Sequence, residues 1–271
     1  MTQDRSPDMK KVFVVALIVF VVTIQAEEKA TPQFFPGGDT EISGSADDRA
    51  QQAIQKWTDP EAWEEKDPTK EPFFWDFSKV GRPVFLRVIK KSNRDGGLEV
   101  WLEEPKSKKF ELYKTYRIAY FSGALGPKIQ QGDGQAPEGF YFISRGRMNP
   151  RSSFHLSMDI GYPNEYDRHC GRTGDYLMIH GNSVSVGCFA MTDLSIEQIY
   201  TLVDAALRNG QKVVRIHCFP FAMTGENMGD HSENEHIEFW RNLQDGWDWF
   251  EEKKRPPNVT VEGGEYVFSE S

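Results

Sequence analysis

The sequence predicts a mainly β fold with flanking helices, and three observations carry that expectation. Five β-rich runs lie between Val84 and Ile160, turn signals separate them, and within this part of the chain helical periodicity becomes clear only from Ile196 onward. The runs are Val84–Ile89, Leu98–Leu102, Tyr116–Phe121, Gly139–Ile143 and Phe154–Ile160, the last alternating apolar with polar residues. Asp95-Gly96-Gly97 reads as a hairpin turn between the first two, because Asp-Gly pairs accept the backbone conformation of a tight turn. Together the runs predict a mostly antiparallel sheet or pair of sheets. Ile196, Ile199, Val203, Ala206 and Leu207 then recur every three or four residues, with Ser195 and Gln198 as a capping box and Asn209-Gly210 as the stop. Val213–His217 reads as a further strand. A Trp-rich helix follows from about Glu235 to Lys254, with Trp240, Trp247 and Trp249 as its packing residues and Pro256-Pro257 beyond its end. Val259–Phe268, folded about Gly263-Gly264, predicts a closing hairpin.

The chain has 271 residues, with 32 Lys+Arg against 41 Asp+Glu and a net charge of −9, so no concentrated basic surface for nucleic acid is expected. An aromatic content of 13% is enough to fill a sizeable core, which excludes wholesale disorder. Lys10-Lys11, the apolar run Val12–Ile24 and the small residue Ala26 have the order of a secretory signal peptide, residues 1–26. An uncleaved anchor is the alternative. Either way the folded part is expected outside the cytoplasm. Residues 27–79 read as a polar, proline-punctuated linker with short helices, one at Ala46–Trp57 and another around Pro60–Lys66. Residues 80–225 are expected to form the main domain, and 226–271 to pack on it.

The stretch from Tyr176 to Met191 is where chemistry concentrates. An apolar strand ends on His180-Gly181, a Ser-rich turn follows, and Ser185-Val186-Gly187-Cys188 delivers a thiol just before a helix. Cysteine catalysis needs a thiolate and a nearby base, and one short connection supplies both. The Gly187 and Cys188 backbone N–H groups are candidates for an oxyanion hole. The plainer reading, a small buried cysteine after a glycine, stays open on these residues alone. Three cysteines leave at least one thiol free, and a Cys170–Cys218 disulfide that spares Cys188 also stays open. His155 lies on the polar face of its run and is a candidate for lining the groove. His231 and His236, with Glu233 and Glu235, invite a metal reading, but spacing of five does not put two histidines on one helix face. No metal or other cofactor is called for.

On these residues the chain resembles the L,D-transpeptidase family, with its YkuD-type catalytic domain, and within it the YafK-like branch. His180-Gly181 matches the family's first element. Ser185-Val186-Gly187-Cys188 matches the second, with Val186 where the family has His. Gly126-Pro127-Lys128, Gly132-Asp133 and Pro137–Tyr141 match its lead-in, so the similarity covers roughly Pro83 to Thr224. The resemblance implies a β-sandwich of mixed sheets with helices at one side. It implies an exported cysteine enzyme of the periplasm, with 80–225 as its catalytic domain, acting on peptidoglycan stem peptides at diaminopimelate through a thioacyl intermediate. Cys188 would be the nucleophile, His180 the general base, and the Gly181 carbonyl the group orienting the imidazole. Ser185 would belong to the substrate-binding loop. Two departures matter: the loop from His180 to Cys188 is short, and Ala190 stands where the family usually carries Arg, a natural fork for a substrate carboxylate. Arg145, Arg147, Arg151 and Arg172 are candidates to replace it. The departures favour a hydrolytic enzyme that cleaves a cross-link or releases a wall-linked lipoprotein. The alternatives are a true L,D-transpeptidase, an inactive wall-binding module and, more distantly, a metallohydrolase.

Overall fold

A mixed five-stranded sheet divides the protein's apolar side chains into two layers. The computed structural model describes residues 46–59, 75–91 and 96–271. Along these, the elements are α1 (Ala46–Thr58), β1 (Val84–Ile89), β2 (Gly97–Glu103), β3 (Phe110–Arg117), β4 (Gly139–Ile143), β5 (Met148–Asn149) and β6 (Ser157–Asp159). They continue with α2 (Glu165–His169), β7 (Met178–His180), β8 (Phe189–Ala190), α3 (Asp193–Arg208), β9 (Val214–Phe219), α4 (Gly225–Asp230), α5 (Ile237–Lys253), β10 (Asn258–Glu262) and β11 (Glu265–Ser269).

The large sheet has the order β3-β2-β1-β9-β4, and β1 lies at its centre because every one of its residues is buried. Alternation along the strands then sorts the layers. Val84, Leu86, Val88, Ile216 and Cys218 face a core shared with α3 and with the smaller sheet through Met158, Ile179 and Phe189. Phe85, Phe140 and Phe219 face the other way, under Trp240, Leu243, Trp247 and Phe250 of α5 and Tyr266 of the β10–β11 hairpin. The smaller sheet, β5-β6-β7-β8, carries the residues singled out for chemistry.

The paired sheets and flanking helices agree with the fold class read from the sequence, with local differences. Each sheet contains a parallel pair, β1 with β9 and β7 with β8, where a mostly antiparallel arrangement was expected. The long crossover through α3 lets β9 enter the sheet beside β1 in the same direction. The third run is displaced upstream: β3 ends at Arg117, and Ala119 and Tyr120 instead bond to Ala190 of the smaller sheet. Of the fifth run only Ser157–Asp159 is strand. His155 sits in a turn at φ +67°, because the preceding turn, with its Phe154 N–H on Ser152 Oγ, breaks the alternation. The capping box is corrected as well. Thr192 is the N-cap of α3, and Gln198 lies inside, accepting the Tyr116 hydroxyl at 2.9 Å. Cys170 and Cys218 are not paired: Cys170 is exposed after α2, while Cys218 is in the core. The signal-peptide reading, the Pro60–Lys66 helix and Asp95 of the hairpin turn lie outside the described residues.

Two buried polar features shape the layers. Lys90 and Glu138, both 0% exposed, pair at 3.0 Å. Lys90 Nζ also donates to the Gly126 and Ala136 carbonyls, and Glu138 accepts from Gly126 N–H and Trp240 Nε1. This network pins the 122–138 loop between β1 and α5. His217, by contrast, is 1% exposed between the rings of Phe85 and Phe140, and neither ring nitrogen has a partner. Burial and the neighbouring Arg215 and Arg87 charges hold it well below the ordinary histidine range. A base with a depressed folded-state pKa gives stability that is present above about pH 6.5, its unfolded value, and is lost as the pH falls. The thermal midpoint should therefore drop on acidification from neutrality, and drop less in His217→Leu. At neutral pH that variant should equal or exceed the wild type, since an unpartnered buried polar group costs about 1–3 kcal/mol. A marked loss of stability in His217→Leu at pH 7 would contradict this account.

Candidate active site

Parallel pairing of β7 with β8 builds the site. Ile179 aligns with Phe189 and His180 with Ala190, so Cys188, one residue before β8, is delivered next to Met178. The Met178 N–H donates to Cys188 Sγ at 3.3 Å, and the thiol reaches the Tyr176 carbonyl at 3.6 Å. His180 closes β7, 3% exposed, and its carbonyl accepts from Met191 N–H. Its Nδ1 lies 2.6 Å from the Gly181 carbonyl. A carbonyl can only accept, so Nδ1 carries the proton and, in the neutral ring, Nε2 carries the lone pair. Phe154 packs over the imidazole at 4.8 Å between centroids.

The turn between the strands is held from several sides. The Asn182 N–H donates to the carboxylate of Asp193 at the start of α3, and Ser185 Oγ donates to the Cys188 carbonyl at 2.8 Å. Gly181 has no room for a side chain: a Cβ there would lie 2.6 Å from Asp193 Oδ1 and 2.7 Å from Phe154 O. Gly187 adopts φ +88°, which other residues avoid, and its N–H donates to Ser122 Oγ at 2.7 Å. That bond occupies one of the two N–H groups expected to form an oxyanion hole.

Burial sets the resting charge state. It pushes the Cys188 thiol above its ordinary value, with Asp159 adding to the rise while Met178 N–H, Ser185 and Lys128 oppose it. It pulls His180 below its ordinary value, against the opposing hydrogen bond to Gly181. Both effects favour a neutral thiol beside a neutral imidazole at pH 7, rather than a preformed ion pair.

Of the residues singled out, the structure brings Cys188, His180, Gly181, Gly187 and Ser185 together. His155 adjoins Gly181 through its Cβ, but its Nε2 is 3.0 Å from Glu197, a carboxylate that Lys56 and Trp57 of α1 also reach. Arg145 approaches Asp204 of α3 at 3.9 Å, Arg147 donates to the Phe142 carbonyl at 2.6 Å, and Arg172 pairs with the buried Asp167 at 2.9 Å. Arg145 and Arg172 thus have carboxylate partners within the fold, whereas Arg147 meets only a carbonyl oxygen. His231 stacks on Phe221, and His236 packs near Trp240. Sequence reasoning missed Ser122 and Phe154, which are far from Cys188 in the chain, and Asp193 and Glu197, which lie off the apolar stripe of α3. An acidic residue opening a predicted helix, as Asp193 does, was the one signal available.

YafK of Escherichia coli, from strains K12 and O157:H7, whose name assigns it to the L,D-transpeptidases, is 40% identical over 190 residues, covering 70% of this chain and 75% of YafK. Among solved structures, a variant of the helical cell shape determining protein Pgp2 from Campylobacter jejuni matches with 21% identity and a TM-score of 0.41, over 62% of this chain and 56% of that one. Bd1075 of Bdellovibrio bacteriovorus matches with 16% identity and a TM-score of 0.35, over 67% and 78%. Residues 106–217, which include every residue of the β7–β8 site, match the L,D-transpeptidase catalytic domain YkuD, and the chain belongs to that family.

Proposed function

We propose that the protein is an exported enzyme that hydrolyses an amide at diaminopimelate in peptidoglycan, with Cys188 as nucleophile and His180 as general base. The observation that carries this reading is the His180 tautomer fixed by Gly181, which leaves Nε2 as an acceptor on the strand beside Cys188. Cys188 Sγ attacks the amide carbonyl carbon as Nε2 takes the thiol proton. The Cys188 N–H faces the developing oxyanion, while the Gly187 N–H stays with Ser122. Collapse breaks the C–N bond, and the leaving amine takes the proton from Nε2. Water, deprotonated by the same nitrogen, then cleaves the thioester to a carboxylate and restores the thiol.

Hydrolysis is favoured over transfer because Ala190, fully buried, offers no cation for anchoring a carboxylate, and Arg145 and Arg172 are engaged by Asp204 and Asp167. An acceptor amine must be held in place to outcompete water. The substrate in this reading is a cross-link or the junction to a wall-linked lipoprotein. The second reading, transpeptidation, draws support from Lys114 and Arg117, which line a cavity of about 440 Å³ together with Ala119 and Thr192, close to position 190. Sacculi digested in oxygen-18 water separate the two. The hydrolytic enzyme should leave the label in a newly freed carboxylate with a matching free amine. New cross-linked dimers without label would establish transpeptidation instead.

A further inference from the structure

Behind the large sheet, on the side away from α3 and the β7–β8 site, a cavity of about 660 Å³ opens between β4, β9, α2 and the β10–β11 hairpin. Its volume is that of an ordinary small-molecule site. Arg147, Arg168 and Arg215 line it, and the ion pairs among the described residues include none of them. Each donates only to a neutral oxygen: Arg147 to the Phe142 carbonyl, Arg168 to the Pro163 carbonyl and Arg215 to the Asn258 side chain. That is unusual in a chain with 41 acidic residues and 32 basic ones. Glu165 lies on the same rim without pairing to them. Burial lowers the pKa of Arg215, and no carboxylate offsets the effect. The lining also includes Phe140, half-exposed Phe142 and the buried His217, whose two ring nitrogens have no partner.

We propose that this cavity binds an anionic ligand carrying at least two carboxylate or phosphate groups on an apolar stem. Guanidinium groups match such oxyanions in a bidentate fork, and a desolvated guanidinium without a counter-charge gains most from receiving one. The aromatic lining takes the stem. The site is separate from the thiol, so occupancy needs no turnover.

The test uses trimesate, a benzene ring with three carboxylates, and pyrophosphate, which lacks a stem. At low salt, trimesate should raise the thermal midpoint of the wild-type protein in a concentration-dependent way. Arg215→Gln and, separately, Arg168→Gln should each weaken its Kd by about tenfold, the scale of one lost charge-assisted contact. Both should alkylate at Cys188 at the wild-type rate, which reports an intact fold. Arg168 is exposed, so its replacement removes charge without disturbing the core. Pyrophosphate should bind more weakly than trimesate. The proposal is overturned if trimesate does not bind, if both arginine variants bind it undiminished, or if pyrophosphate binds as tightly.

Discussion

Cys188→Ala is expected to lose all measurable release of product from sacculi while unfolding within about 1 kcal/mol of the wild type. The thiol's contacts are a 3.3 Å bond from Met178 N–H and a 3.6 Å approach to the Tyr176 carbonyl, both weak sulfur interactions, so their removal costs little. The chemistry, in contrast, has no substitute nucleophile: Ser185, the nearest hydroxyl in sequence, is tied to the Cys188 carbonyl. Residual turnover in Cys188→Ala would refute the covalent mechanism. The other two thiols serve as controls, with one restriction from the fold. Cys170 is exposed and can be made Ser, whereas Cys218 is fully buried, and a hydroxyl there would lack a partner. Cys218→Ala is the cleaner control.

His180→Gln should lower kcat by a factor of about 10²–10⁴, the range for a positioned general base. The pH behaviour distinguishes a base from a mere packing residue. Neutral His180 is the active form and its pKa lies below the ordinary value, so wild-type kcat/KM should hold as the pH falls through about 6.5 and decline only below it. In His180→Gln that acidic limb should vanish. Alkylation of Cys188 by iodoacetamide should accelerate only on the alkaline side of the ordinary thiol range, because burial disfavours the thiolate. Rapid alkylation at pH 6 would reveal a preformed thiolate–imidazolium pair and overturn the neutral resting state.

Much of this was legible in the sequence wherever a signal is local. β1 spans the residues its apolar run marks, α5 ends at Lys253 with Lys254 as its left-handed cap just before Pro256-Pro257, and the last hairpin turns at Gly263-Gly264. Errors arose where distant partners decide. Tyr120 looks like strand interior, yet its partner is Ala190 of another sheet, and Gln198 looks like a cap until the Tyr116 hydroxyl claims it. The site divides in the same way. His180, Gly181 and Cys188 sit within one short segment, whereas Glu197, which holds His155, and Phe154, which covers His180, meet the site only through folding. The arginines show the limit of charge reasoning, since type and proximity in sequence did not reveal that Asp167 and Asp204 had already engaged Arg172 and Arg145.

The Lys90–Glu138 network has an evolutionary consequence. Removing one partner strands the other charge in a fully buried place, a loss of about 3–5 kcal/mol that would consume much of a typical domain's stability. Exchanging both for apolar residues of similar volume can be close to neutral for the charges, but it also orphans the Ala136 carbonyl, the Gly126 N–H and the Trp240 indole N–H. Single-step paths away from this pair therefore pass through a poorly folded intermediate. Descendants of this gene should keep both residues or replace them jointly, together with position 240, so that three sites far apart in the chain are inherited as one character.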